Sequence, residues 1–116
     1  MAWEVIYDEG REGDCPVRDF LEGLPTPHRA KVFAVLDLLR ERGPLLGFPH
    51  SSQAEGKIRE LRAHYGRQLY RVLYAMDDQR RVVLLEGFEK NVAKVPPERV
   101  AVAQTRFRDH LAQREE

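Results

Sequence analysis

A chain of 116 residues, 42% hydrophobic and 33% charged with a net charge of zero, has the size and composition of one globular domain and is too short for two cores. No apolar run approaches the ~20 residues that cross a bilayer, and a lone cysteine excludes an internal disulfide. The lone cysteine fits a reducing cytoplasm. Because that cysteine and the four histidines are scattered, we expect no metal. We therefore expect residues 1–116 to form a single cytoplasmic domain with no metal and no cofactor.

Charge is unevenly distributed along the chain. Residues 1–56 hold 6 basic against 10 acidic side chains, a net of −4, whereas residues 57–94 hold 9 against 5, a net of +4. Surplus positive charge in one segment is typical of a surface that binds anions, nucleic-acid phosphates among them. A solvated basic face is the simpler alternative, and the positions of individual cations must decide between the two.

The first half of the chain predicts one strand and two helices. Residues 3–7, Trp-Glu-Val-Ile-Tyr, favour a strand that we expect to join the edge of a larger sheet. Proline in the first turn and an apolar stripe at helical spacing predict a helix from about Pro16 to Gly23. Similar signals predict a second helix over residues 28–42, and residues 45–53, with glycine, proline and paired serine, predict a connecting loop.

The second half predicts three strands and one helix. Runs rich in Leu, Val, Ile and Tyr at residues 58–63, 69–76 and 82–88 are separated by short polar segments, so neighbouring strands must pair as antiparallel hairpins. Two prolines then begin a helix over residues 98–113. The predicted fold is α+β: a four-stranded, mainly antiparallel sheet, an N-terminal helical hairpin on one face, and a C-terminal helix against an edge or the other face.

The middle strand of the three carries a cation at its centre. Because side chains alternate between faces, Tyr70, Val72 and Tyr74 form an apolar row that the helical hairpin can cover. Arg71 interrupts the apolar row on the opposite face. An isolated charge in a low-dielectric site is costly, so Arg71 must either pair with a carboxylate, for which Glu60 is the candidate, or bind a ligand. Spacing alone leaves both alternatives open.

Four short motifs follow one another at defined spacing: Glu60-Leu61-Arg62, Tyr70-Arg71-Val72-Leu73-Tyr74, Gly87-Phe88-Glu89-Lys90 and Lys94-Val95-Pro96. Each alone is weak, but in this order they resemble the RelE/ParE toxin superfamily and, within it, the HigB-like, phage-derived branch. The resemblance is close from the first of these motifs onward. In the part of the chain before that motif, the resemblance extends only to the order of the helices and strands.

The resemblance implies the toxin of a type II toxin–antitoxin system, a metal-independent endoribonuclease that cleaves mRNA, usually on the ribosome. It also implies a small helix-turn-helix antitoxin as partner, and no membrane. Three residues match catalytic positions of the family. Arg71 would hold the scissile phosphate, Lys90 would be a second clamp and proton donor, and Arg62 would add a phosphate contact or position Arg71.

The resemblance does not identify the general base. Several relatives place a tyrosine, histidine or acidic residue near the C-terminus, where this chain offers Asp109 and His110. The further candidates to bind substrate or supply a base are Lys57, His64 and Lys94, with His50 as a loop histidine that could reach the basic face.

Two other functions compete with the ribonuclease. One is a ParE-like inhibitor that binds a DNA topoisomerase and catalyses nothing, and the other is an inactive relic that keeps only an antitoxin-binding surface. Neither requires Arg71 and Lys90 to face one phosphate.

Overall fold

The computed structural model describes residues 2–91 and 94–113. Five strands and three α-helices follow in the order β1 (Glu4–Tyr7), α1 (Pro16–Glu22), α2 (Thr26–Arg42), β2 (Ser51–Glu55), β3 (Ile58–Tyr65), β4 (Gln68–Met76), β5 (Arg81–Glu89) and α3 (Pro97–Gln113), with a short 3₁₀ turn at Gly43–Leu45. The strands form one sheet in the order β1-β5-β4-β3-β2. β1 pairs with β5 in parallel, and all other pairings are antiparallel. The α+β class is confirmed.

The prediction of four strands is wrong, because residues 51–55 form an edge strand instead of part of a loop. Their sequence, Ser-Ser-Gln-Ala-Glu, contains no β-branched or aromatic residue, so nothing local favours a strand. Tertiary contacts supply the stabilisation. Ser51 is buried, its Oγ lies 2.5 Å from the Tyr74 hydroxyl, and Arg59 Nε donates to Ser51 Oγ at 3.1 Å.

The hairpin between β3 and β4 determines which residues face one another. Gly66, with a positive φ, and Arg67 form its two-residue turn, so Tyr65 pairs with Gln68. Continuing along the strands, Arg62 lies directly opposite Arg71, and Glu60 lies opposite Leu73. Glu60 is therefore a diagonal neighbour of Arg71.

Two hydrophobic cores sandwich the sheet. On one face α1 and α2 pack against Tyr70, Val72 and Tyr74, as predicted, and both tyrosines are buried. The expected helical hairpin needs correction, because α1 packs chiefly on β5 and α2 on β3, with few contacts between the helices. On the other face α3 covers a second core whose sheet residues are Ile58, Leu73, Ala75, Val83, Leu85 and Phe88.

Ion pairs fix α3 to the sheet. Glu86 on β5 pairs with Arg99 and Arg106 of α3, each at 3.1 Å, and Arg106 also donates to the Leu85 carbonyl oxygen. Asp77, just after β4, accepts hydrogen bonds from Arg81 and lies 3.0 Å from His110 Nε2. These hydrogen bonds outweigh burial and lower the pKa of Asp77 to about 2. Among the described residues, no helix is long and apolar enough to cross a membrane.

Gly87, the glycine of the Gly-Phe-Glu-Lys motif, lies beneath α1. A Cβ added there would come within 2.4 Å of Phe20 Cδ2. We therefore expect Gly87→Ala to lower the free energy of unfolding by about 1–3 kcal/mol through overpacking, measured by urea denaturation. Gly47→Ala is the control, because nothing lies within 4 Å of its new Cβ. Equal stability of the two variants would contradict the close packing of Phe20 on β5.

A buried carboxylate after β1 predicts a pH effect on stability. Burial raises the pKa of Asp8 from 3.8 to about 6, although the nearby charges of His110 and Arg106 oppose the rise. The folded state therefore keeps a proton that the unfolded chain loses, so stability falls as pH rises from about 4 to about 6, by at most about 3 kcal/mol. We expect Asp8→Asn to raise the melting temperature at pH 8 and to have little effect at pH 4. A lower melting temperature at pH 8 would contradict this account.

Candidate functional site

Two arginines face each other on the α3 side of the sheet, beyond the end that α3 covers. Arg62 on β3 and Arg71 on β4 are direct cross-strand neighbours, and the side chain of Arg71 is only 4% exposed. Like charges directly opposite each other destabilise an antiparallel pair. Their juxtaposition therefore needs either a counter-charge or a bound anion.

Glu60 supplies a counter-charge that the two arginines share. Its Oε1 lies 3.3 Å from Arg71 Nε and 3.5 Å from Arg62 Nη1. Arg71 Nη1 donates to the Tyr70 carbonyl oxygen at 2.9 Å, whereas the buried Nε is close to Glu60 without the alignment of a hydrogen bond. The Glu60 carboxylate is thus the shared counter-charge of two guanidinium groups, and it does not form a hydrogen bond with Arg71 Nε.

Lys90 adds a third cation at the end of β5. Its backbone N–H donates to the Leu69 carbonyl oxygen at 2.8 Å, which holds it beside β4. Burial and the charges of Arg71 and Arg62 lower the pKa of Lys90, and the Glu60 carboxylate opposes this. Burial and the charge of Arg62 likewise lower the pKa of Arg71. Three cations, Arg62, Arg71 and Lys90, thus share the site with one carboxylate, Glu60.

The arginines form part of a pocket of about 230 Å³ whose lining residues are Pro49, His50, Arg62, Ala63, His64, Leu69 and Arg71. Its outer wall is the loop before β2, which the Arg62 N–H anchors by donating to the His50 carbonyl oxygen at 2.8 Å. The side chain of Arg62 lies over the Phe48 ring, with its Cζ 5.3 Å from the ring centroid. This basic pocket, with Glu60 and Lys90 beside it, is the candidate site.

The structure brings together some of the predicted residues and separates others. Arg62, Arg71 and Lys90 form one cluster, and His64 lines the same pocket. Lys57 lies before β3, five residues from Arg62 and hence about 16 Å along the strand. Lys94 is exposed in the connection to α3.

The structure also places the candidate general bases in different parts of the molecule. His110 bonds Asp77 at the opposite end of β4 from the pocket, and Asp109 neighbours it on α3. His50 and His64 line the pocket, so they are the histidines placed to exchange a proton with a bound ligand. The position of Phe48 beside Arg62 could not be predicted, because a lone aromatic residue in a predicted loop carries no signal of its own.

A larger cavity of about 630 Å³ lies at the other end of the sheet. Lys57, Met76, Asp77, Phe107 and Leu111 are among its lining residues. Its cations Lys57 and Arg59 lie apart from Arg62 and Arg71, the opposed pair that lines the smaller pocket. Within residues 2–91 and 94–113, no group of three or more His, Cys, Asp or Glu side chains is placed to hold a metal.

The fold and the site define an α+β protein that presents a cluster of cations on the open half of one sheet face. Residues 19–108 match the family described as phage-derived protein Gp49-like (DUF891), and the chain belongs to this family. Over 104 residues it is also 33% identical to the candidate toxin HigB2 of Mycobacterium tuberculosis, a match that covers 84% of this chain and 52% of the relative. The chain thus spans about half the length of that relative, and the HigB-like assignment implied by the motifs is confirmed.

Proposed function

We propose that this protein is the toxin of a type II toxin–antitoxin system and acts as a metal-independent endoribonuclease on messenger RNA, on the ribosome. The supporting comparison is its likeness to the candidate toxin HigB2. The observation that carries the proposal is the pair of opposed arginines, Arg62 and Arg71, which share one carboxylate beside a third cation. Such a cluster suits a phosphodiester, whose charge would relieve the repulsion.

The reaction requires the protein to stabilise charge on the phosphate, to donate one proton and to accept another. The RNA's own 2′-hydroxyl attacks phosphorus, the bond to the 5′-oxygen breaks, and a 2′,3′-cyclic phosphate remains. Arg71, with Arg62, stabilises the charge that grows on the non-bridging oxygens. Lys90 donates a proton to the departing 5′-oxygen, a role that suits an ammonium whose pKa is lowered. His50 or His64 accepts the proton of the 2′-hydroxyl, since both line the pocket.

Brief induction in cells, followed by RNA and DNA analysis, tests this function. Shortened messages with cyclic phosphate ends are the expected result. Altered DNA supercoiling with intact messages would instead indicate a topoisomerase inhibitor, and no effect on either would indicate an inactive relic. Cleavage of naked RNA compared with RNA on ribosomes tests the ribosome requirement.

A toxin of this kind needs a partner that masks its basic pocket, so we propose a small helix-turn-helix antitoxin that covers Arg71 and Lys90 or locks α3. Opposite charges steer such an encounter, and salt screens them. We expect the association rate to fall at least severalfold between 50 and 500 mM NaCl, measured by stopped-flow fluorescence. A rate independent of salt would contradict masking of the basic pocket.

A further inference from the structure

The loop that walls the basic pocket presents a bare aromatic ring. Phe48 is 76% exposed, so the core does not use it, and water contact with so much apolar surface is unfavourable. The ring nevertheless has a defined position. Arg62 lies 5.3 Å from its centroid, and the next two residues, Pro49 and His50, line the pocket.

The ring therefore lies one arginine away from the place proposed for phosphate. In a nucleic acid, the base is joined through its ribose to the phosphate, so a strand held by Arg71 and Arg62 brings a base near the loop. Exposed aromatic rings beside cations bind single strands by stacking on their bases. Paired bases of a duplex already stack on one another and offer no free face to such a ring.

We propose that Phe48 is a stacking platform for the nucleobase next to the bound phosphate, and that the pocket consequently selects single-stranded RNA with that base turned out of its stack. This inference rests on the proposed function and names the substrate form that the same site takes. In this proposal Arg62 both contacts the phosphate and packs against the Phe48 ring. Leu69, 39% exposed on β4, provides a second apolar contact on the opposite side of the pocket.

The test compares Phe48→Ala and Phe48→Trp with Leu45→Ala. Leu45 is a matched control, because it is 87% exposed in the same connection but, unlike Phe48, does not directly precede the pocket residues Pro49 and His50. The probes are a fluorescent single-stranded RNA with 2′-O-methyl riboses, which blocks the nucleophile, and an abasic strand of the same length. Binding is measured by fluorescence anisotropy, and melting temperatures confirm that the variants are folded.

We expect Phe48→Ala to weaken binding of the base-bearing strand about tenfold and binding of the abasic strand less than twofold. Phe48→Trp should bind as the wild type does, and so should Leu45→Ala. Equal losses on both strands, an equal loss in Leu45→Ala, or unchanged binding by Phe48→Ala would each overturn the stacking role.

Cleavage of unmodified RNA separates this inference from the proposed function. Phe48-dependent binding by a protein that cuts RNA neither free nor on ribosomes would support the stacking platform and remove the ribonuclease. Efficient cleavage by the wild type, matched by Phe48→Ala on the same single strand, would support the ribonuclease and overturn the platform.

Discussion

Glu60→Gln is expected to lower the free energy of unfolding by about 3 kcal/mol, because it removes the carboxylate that Arg62 and Arg71 share and leaves two guanidinium groups opposed. For a chain of this size the melting temperature should fall by on the order of 10 °C. Inorganic phosphate at tens of millimolar should then restore part of the loss, since an anion in the pocket replaces the missing charge.

Glu86→Gln provides the matched control for this rescue. Glu86 is likewise a buried carboxylate shared by two arginines, but these, Arg99 and Arg106, do not line the basic pocket as Arg62 and Arg71 do. Both variants should be less stable than the wild type, and phosphate should raise the melting temperature more for Glu60→Gln. Equal rescue of both, or of neither, would contradict an anion site at Arg62 and Arg71.

Arg71→Ala is expected to reduce the rate of RNA cleavage at least a hundredfold, about 3 kcal/mol of lost transition-state stabilisation. The structure adds a second expectation. Because Arg71 lies 3.3 Å from Glu60, its removal leaves that carboxylate with Arg62 alone, and the melting temperature should also fall by several degrees. Cleavage must therefore be measured well below the melting temperature of the variant.

Two further variants separate activity from stability. Arg71→Lys keeps a positive charge for Glu60 but loses the forked donors, so stability should partly recover while cleavage stays slow. Arg81→Ala removes an ion pair with Asp77 at the far end of the sheet, and should lower stability without slowing cleavage at a permissive temperature. Full activity in a destabilised Arg71→Ala would remove Arg71 from the site and leave it as half of an ion pair.

Strands β3, β4 and β5 and the three helices could be predicted because each has a strong local pattern, whereas the residues that pair across the sheet could not. The pattern at residues 3–7 predicts a strand, but nothing in it determines the direction of that strand. The parallel pairing with β5 follows from the tertiary fold. Residues 51–55 become a strand through pairing with β3, which follows directly in the chain, and through Tyr74, which lies 23 residues from Ser51.

The candidate site was predicted as residue types, and its geometry was not. Predicted strands at residues 58–63 and 69–76 leave the register open, whereas the observed turn at Gly66 and Arg67 puts Arg62, and not Glu60, opposite Arg71. That one shift changes the arrangement from a simple ion pair into two cations that share a carboxylate. His50 and Phe48 join the site through the folding of a loop, for which sequence periodicity holds no information.

The partial cover that α3 gives to its sheet face has a consequence for inhibitor discovery. α3 stops short of Arg62 and Arg71, and what remains there is a pocket of about 230 Å³. Pockets that enclose a drug-sized molecule are usually about 300–1,000 Å³. A compact compound would therefore find too little surface to bury, whereas an extended, anionic compound could lie across several strands and reach Lys90 as well as the arginines. Short oligonucleotide analogues and acidic peptides are accordingly better starting points than small heterocycles.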